Sequence, residues 1–157
     1  MKKLKIYLDT SVISHLDAPD APEREADTKR LWDDIRIGRY DIVLSNVVFY
    51  EVAKCEEIKR SFMLARISEI ESQHVVQDDE AERVSALYFE IGGIPPRSKD
   101  DAMHIAIATV NKCDIILSWN FKHIVNLRAM KAVDAVNFRE GYSPIRILSP
   151  SMILEEE

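Results

Sequence analysis

No apolar run in the chain approaches the roughly 20 residues that a bilayer-spanning helix needs; IYL, IVLSNVVFY and AMHIAIATV are the longest. The MKKLK start lacks a following signal-type apolar core, so a cytoplasmic protein with no membrane contact is expected. Cysteine is scarce too. Cys55 and Cys113 have neither the spacing of a zinc motif nor the numbers of a disulfide framework, and both read as small core residues. No internal repeat or low-complexity stretch is present. Positive charge is also in deficit. A formal net charge of -6 and a pI near 5.3 argue against a general nucleic-acid coat, which needs lysine and arginine for its phosphate contacts. Much of the negative charge comes from PEREADTKRLWDD and the EEE terminus. Lys54, Lys59, Arg60, Arg97, Lys99, Lys122 and Arg128 could form a local basic rim, although each alone reads as solvated surface.

What is present fits one domain. A length of 157 residues with 46% hydrophobic content fills a single core, taken here as residues 1 to 150 with an acidic tail over 151 to 157. LKIYLD reads as an opening strand ending at Asp9, followed by a turn. Thr28, Leu31, Trp32 and Ile35 recur at helical spacing until Gly38, and residues 40 to 45 form a continuously apolar strand. Asn46 stands where a helix cap would, with Glu51 one turn in. A second helix over 60 to 72 repeats Phe62, Leu64, Ile67 and Ile70. After a short strand over 74 to 77, Ala81, Val84, Leu87, Tyr88 and Ile91 mark an amphipathic helix closed by Gly92 and Gly93. DDAMHIAIATV reads as a buried helix and residues 114 to 119 as a strand. Asn120 is read at the start of a helix carrying Ile124, Leu127 and Met130, and PIRIL as a last strand before the cap Ser149-Pro150. Such alternation predicts a mainly parallel sheet with helices on both faces and a site beyond the carboxyl ends of its strands.

Acids fall on that rim. Asp9 ends the first strand, Glu51 lies in a helix among apolar neighbours, and Asp100 and Asp101 open the buried helix. Each has a plainer role: Asp9 or Thr10 as a cap, Asp100 and Asp101 as complements to a helix dipole, Asn120 as an N-cap. Convergence argues otherwise. Unit charges about 4 Å apart repel by roughly 4 kcal/mol at an effective dielectric near 20, so a cation must sit among them. Hard oxygen donors without cysteine or paired histidines select Mg2+ or Mn2+ over zinc. His104, on the same helix face as Asp100 and Asp101, could ligate the metal or hold a carboxylate; a hydrogen-bonded histidine inside a buried helix is the plainer role. Trp119, Phe121, Lys122 and His123 flank the rim and could stack on or neutralise single-stranded RNA, while the two aromatics also read as core.

LDTSV near the start, the spacing from Ser45 to Glu51, and DDAMHIAIA followed closely by a strand and SWNF together resemble the PIN domain, a metal-dependent ribonuclease fold. The pattern is especially similar to VapC-type toxins and spans nearly the whole chain. The resemblance implies a three-layer α/β/α sandwich around a central, mostly parallel five-stranded sheet. By motif position it puts the acids on Asp9, Glu51 and Asp101, with Asp100 an extra acid. The fourth motif departs from the family pattern, since Asn120 stands in Ser118-Trp119-Asn120 where many members have aspartate. The resemblance further implies hydrolysis of RNA phosphodiester bonds, leaving a 3'-hydroxyl and a 5'-phosphate, with Mg2+ or Mn2+ held by Asp9, Glu51 and Asp101. Asp100 is the candidate to replace the missing charge. Thr10 and Ser11, and Ser118 and Lys122 near the fourth motif, are the expected contacts to the phosphate or to the acids. An antitoxin partner is implied, with an apolar groove along residues 47 to 72 to receive its helix; homodimers are common in the family.

Two rivals compete. One is a catalytically weakened PIN-like module that binds RNA or protein without cutting. The other, a phosphoacceptor receiver domain, requires adjacent acids after the first strand and a lysine after a late one, and the chain has neither.

Overall fold

Strands apolar on both faces must be covered on both faces, and the computed structural model, which describes residues 2–156, covers them so. β1 (Lys5–Leu8), β2 (Asp41–Ser45), β3 (Gln73–Val75), β4 (Ile115–Leu117) and β5 (Arg146–Leu148) form one sheet of order β3-β2-β1-β4-β5. Every pairing is parallel, so the expected sheet is parallel throughout. β1 is central, and Tyr7 lies between Val43 and Ile116. The strand order changes direction at β1 and β4, and the crevice beyond their carboxyl ends is the topological switch point. Asp9 and Ser118 follow those strands directly.

The helices are α1 (Thr10–Ser14), α2 (Pro22–Arg36), α3 (Asn46–Ala53), α4 (Glu57–Ile67), α5 (Asp79–Glu90), α6 (Lys99–Val110), α7 (Leu127–Glu140) and α8 (Pro150–Glu155). α6 is apolar almost all round because it is buried almost all round, from Ala102 and from His104 to Thr109. Its far side is tied to two helices through one polar cluster: the Tyr88 hydroxyl donates to Asn137 Oδ1 at 2.8 Å and lies 3.1 Å from Thr109 Oγ1. None of the described helices is long and apolar enough to cross a membrane.

Several elements depart from the sequence reading. The turn after Asp9 is helix α1, formed because Val12 and Ile13 are buried in the core. The helix over 60 to 72 is α4, which starts earlier, where Glu56 accepts from Lys59 N and Ile58 N; Met63 and Ile67 face the core and Leu64 is exposed. Asn46 is inside α3, not its cap, and its Oδ1 accepts from Gln77 N at 2.8 Å. Residues 120 to 126 are turns, with α7 beginning at Leu127 behind the Asn126 cap. At the end of the chain Ser149 caps α8 as expected, but packing continues past residue 150. Ile153 and Leu154 are buried, so only part of the stretch read as a tail is free; Glu157 lies outside the described residues.

Gly92 closes α5 in the left-handed conformation, at φ +84. Gly93 is required for a different reason: an added Cβ would stand 1.9 Å from the Ala132 Cβ on α7. Gly93→Ala should therefore destabilise the protein by about 1–3 kcal/mol, and the double variant with Ala132→Gly should recover part of the loss. Urea denaturation checks this; a single variant as stable as wild type would refute the close contact.

Candidate metal centre

Asp9 occupies the N-cap position of α1, yet its side chain makes no capping bond. Its carboxylate turns inward instead. Oδ2 accepts from Ser11 Oγ and from Ser118 Oγ, both at 2.7 Å, and Oδ1 lies 3.3 Å from His104 Nε2. Glu51 arrives from α3. Its Oε1 accepts from the Thr10 hydroxyl at 2.7 Å and lies 2.5 Å from the same His104 Nε2. One imidazole nitrogen thus faces two carboxylates and must carry a proton to do so. The other nitrogen, Nδ1, is 2.6 Å from the Tyr7 hydroxyl, which is itself 2.6 Å from Ser45 Oγ. His104 is wholly buried, and β1, β2, α3 and α6 each contribute one member of this chain.

Burial pushes the His104 imidazole toward its neutral form, but Asp9, the hydrogen bond to Glu51 and the charges of Glu51 and Asp101 outweigh burial, and its pKa is raised above the usual histidine value. Glu51 moves the opposite way. Burial raises it, the hydrogen bond and charge of His104 and the Thr10 hydroxyl lower it further, and the net is below the ordinary carboxylate value. Burial pushes Tyr7 well up, so its hydroxyl stays protonated and can bridge His104 and Ser45.

Asp101 lies one turn before His104 on α6, half-buried. Asn120 Nδ2 donates to its Oδ1 at 3.1 Å, and burial followed by the charge of Asp9 raises its pKa. Asn120 also accepts from His123 N through Oδ1 and donates its own backbone N–H to Ser118 Oγ at 3.0 Å, so the fourth motif is knitted into the site without adding charge. Thr10, Ser11 and Ser118 bind the acids directly. Asp100 and Lys122 are exposed outside this network. Sequence reasoning left His104 open between two roles and missed Tyr7 altogether; a tyrosine inside a fully buried parallel strand was the available signal, because its hydroxyl needs a partner. A cleft of about 900 Å³ opens at the amino-terminal ends of β1, β2 and β3, between Lys3, Lys5, Arg36 and Gln73, and contains none of these acids.

Asp9, Glu51 and His104 offer ligand atoms all within 4.8 Å of one another. Two carboxylates with a raised Asp101 beside them form a donor set that fits a divalent cation.

The family model for the PIN domain matches residues 6–123, and the chain belongs to the PIN domain family, a family of nuclease-type hydrolases. Among solved structures it is similar to VapBC2 from Rickettsia felis bound to a DNA fragment from its promoter, at 12% identity and a TM-score of 0.59, covering 93% of this chain and 98% of that one. DNA-bound VapBC from Salmonella typhimurium is similar at 16% identity and a TM-score of 0.53, covering 94% and 98%. VapC20 from Mycobacterium tuberculosis, a toxin that cleaves the sarcin-ricin loop, is similar at 21% identity and a TM-score of 0.50, covering 71% and 86%. At these identities the likeness is one of fold. A comparison with curated protein sequences returned no match.

The raised His104 has a measurable consequence. A folded pKa above the unfolded value of about 6.5 gives stability that is complete below that pH and is lost as pH rises through the folded value. In EDTA the melting midpoint should fall as pH rises above about 6.5, by roughly 2–4 °C for each kcal/mol lost. Mn2+ should then stabilise most at the alkaline end, where the imidazolium no longer offsets the acids. A level midpoint across that range in EDTA would show that His104 is not the internal counter-charge.

Proposed function

We propose that the protein is a metal-dependent endoribonuclease and the toxin of a type II toxin-antitoxin pair acting in the cytoplasm. The observation that carries this reading is the convergence of Asp9 and Glu51 from separate elements onto one buried nitrogen, with Asp101 beside them. Asp9, Glu51 and Asp101 would hold Mg2+ or Mn2+. When bound, the cation supplies charge neutralisation at the scissile phosphate and acidifies water.

The chain's own groups do the positioning. Ser11 and Ser118 fix the Asp9 carboxylate, and Thr10 and His104 fix Glu51, so neither acid needs to reorganise when substrate arrives. Asp101, whose pKa is raised by burial and by the charge of Asp9, lies beside Asn120 and would accept a proton from the attacking water. In-line displacement would leave a 3'-hydroxyl and a 5'-phosphate. Lys122, exposed next to this rim, is available to the RNA backbone. Two of the similar structures are VapBC complexes, which supports an antitoxin partner here. Tyr50, Ile58 and Leu64 on α3 and α4 are exposed and would receive it. A homodimer is compatible with the same reading.

Asn120 favours a second reading, a module that binds RNA without cutting, because it removes one charge from the site. The two separate by experiment. Asp9→Asn should lower Mn2+-dependent RNA cleavage by at least about 100-fold and relieve growth inhibition; an unchanged rate would remove the proposed site. Asn120→Asp should tighten Mn2+ binding measured by calorimetry while lowering stability in EDTA, since the amide donor to Asp101 becomes a repelling carboxylate. Absence of Mn2+ binding in both wild type and Asn120→Asp would decide for the binding module.

A further inference from the structure

Beside the acidic centre lies a group of side chains that the cleavage chemistry does not use. The Arg24 guanidinium stands over two rings at once, 5.1 Å from the centroid of Phe121 and 5.4 Å from that of Trp119. The two rings meet edge to face with centroids 6.1 Å apart, and the His15 ring lies 5.6 Å from Trp119 on a tilted plane. Phe121 is 40% exposed, while Trp119 is buried beneath it. Arg24 is exposed and has no carboxylate partner among the described residues, although Arg66, Arg83 and Arg146 are ion-paired in this acidic chain.

The group is tied to the centre by hydrogen bonds. Trp119 Nε1 donates to Thr28 Oγ1 at 2.9 Å, and the Thr28 hydroxyl donates to the Arg24 carbonyl one turn earlier on α2 at 2.6 Å. On the other side Trp119 N donates to Ser11 Oγ, the hydroxyl that holds Asp9, and the His15 ring is bonded to the Ser11 carbonyl at 2.7 Å. Phe121 adjoins Asn120, whose amide rests on Asp101. A ligand on this surface would therefore sit immediately beside the carboxylates.

We propose that Arg24, Phe121 and Trp119 form a stacking shelf for one unpaired nucleotide of a single-stranded RNA next to the scissile bond; this rests on the nuclease reading of the acidic centre. The exposed part of the Phe121 ring takes the base, and the Arg24 guanidinium beside it presents N–H donors to the adjoining phosphate. An aromatic face accepts a base only after that base has left a duplex, so the shelf selects single strands, loops and bulges and is tolerant of sequence. It also adds a positive charge to a surface whose neighbouring acids would otherwise repel the backbone.

The test is the binding of a labelled single-stranded RNA, about 12 nucleotides long, followed by anisotropy with Ca2+ in place of Mn2+, together with kcat and KM for its cleavage with Mn2+. Phe121→Ala and Arg24→Ala should each weaken binding about tenfold or more and raise KM with kcat little changed. Phe121→Trp should retain binding, and Phe138→Ala, which removes an exposed ring on α7, should match wild type. Wild-type protein that cuts RNA while Phe121→Ala and Arg24→Ala bind as it does overturns the shelf and leaves the nuclease reading intact. Shelf-dependent binding without cleavage supports the shelf and overturns the nuclease reading. Equal binding of a duplex of the same sequence, or no binding by wild type, overturns the shelf.

Discussion

The site depends on one buried contact, that of the His104 Nε2–H with the carboxylates of Glu51 and Asp9. Two ionised acids and a third beside them would otherwise raise the energy of the folded chain, by roughly 4 kcal/mol for each pair about 4 Å apart at an effective dielectric near 20. A buried imidazole is a poor place for a positive charge unless anions surround it, and buried carboxylates are poor neighbours unless a cation does. Each condition is met by the other. Tyr7 and Ser45 complete the arrangement from behind, because a histidine whose second nitrogen were left unpaired in the core would lose much of what the first gains. The preformed centre is thus a set of acids kept in place by an internal cation that a metal ion can supplement or displace.

The parallel sheet and the three acids were legible because each rests on a local signal. Apolar runs bounded by polar residues mark strands, and a carboxylate at the end of such a run has few other reasons to be there. What failed to show was whatever depends on contacts between distant segments. α1 is five residues long, too short to be stable alone; burial of Val12 and Ile13 makes it, and nothing in LDTSV separates that from a turn. Asn120 looks like a helix cap because an Asn side chain bonded to the backbone N–H three residues on is common to caps and isolated turns. The helix fails to follow because Ile124 and Val125 turn into the core. In α4 and just beyond it the reading holds at Phe62, Ile67 and Ile70, which face the core, but it took Leu64, which is exposed, and passed over Met63, which is buried. The partners of His104 required knowing that Tyr7 and Ser45 would be neighbours across β1 and β2, which no local pattern encodes.

Net charge is a coarse guide to what any one face of the chain presents. The chain has 27 acidic and 21 basic side chains, but some of the acids are taken up in ion pairs outside the site, such as Arg83 with Glu80 and Glu140, and Arg146 with Glu156. Pairs of that kind contribute little and are screened by salt. What an approaching phosphate meets is set within about a Debye length, by the acids of the centre and the unpaired cations at its edge.

Asn120 gives the centre its asymmetry. At the Glu51 end the repulsion between acids is offset by His104, a group able to carry positive charge. At the Asp101 end no such group is in hydrogen-bond contact among the described residues, and an aspartate in the fourth motif would face Asp101 directly. An amide resolves this conflict in a way a carboxylate cannot: its nitrogen donates to Asp101 while its oxygen accepts from His123 N. The replacement therefore preserves the geometry of the rim while lowering its charge. The ligand atoms that come within 4.8 Å of one another belong to Asp9, Glu51 and His104, and the fourth motif adds no anionic group beside them. A two-cation mechanism draws on anionic ligands for both ions; a one-cation mechanism needs the acids only where this chain has kept them.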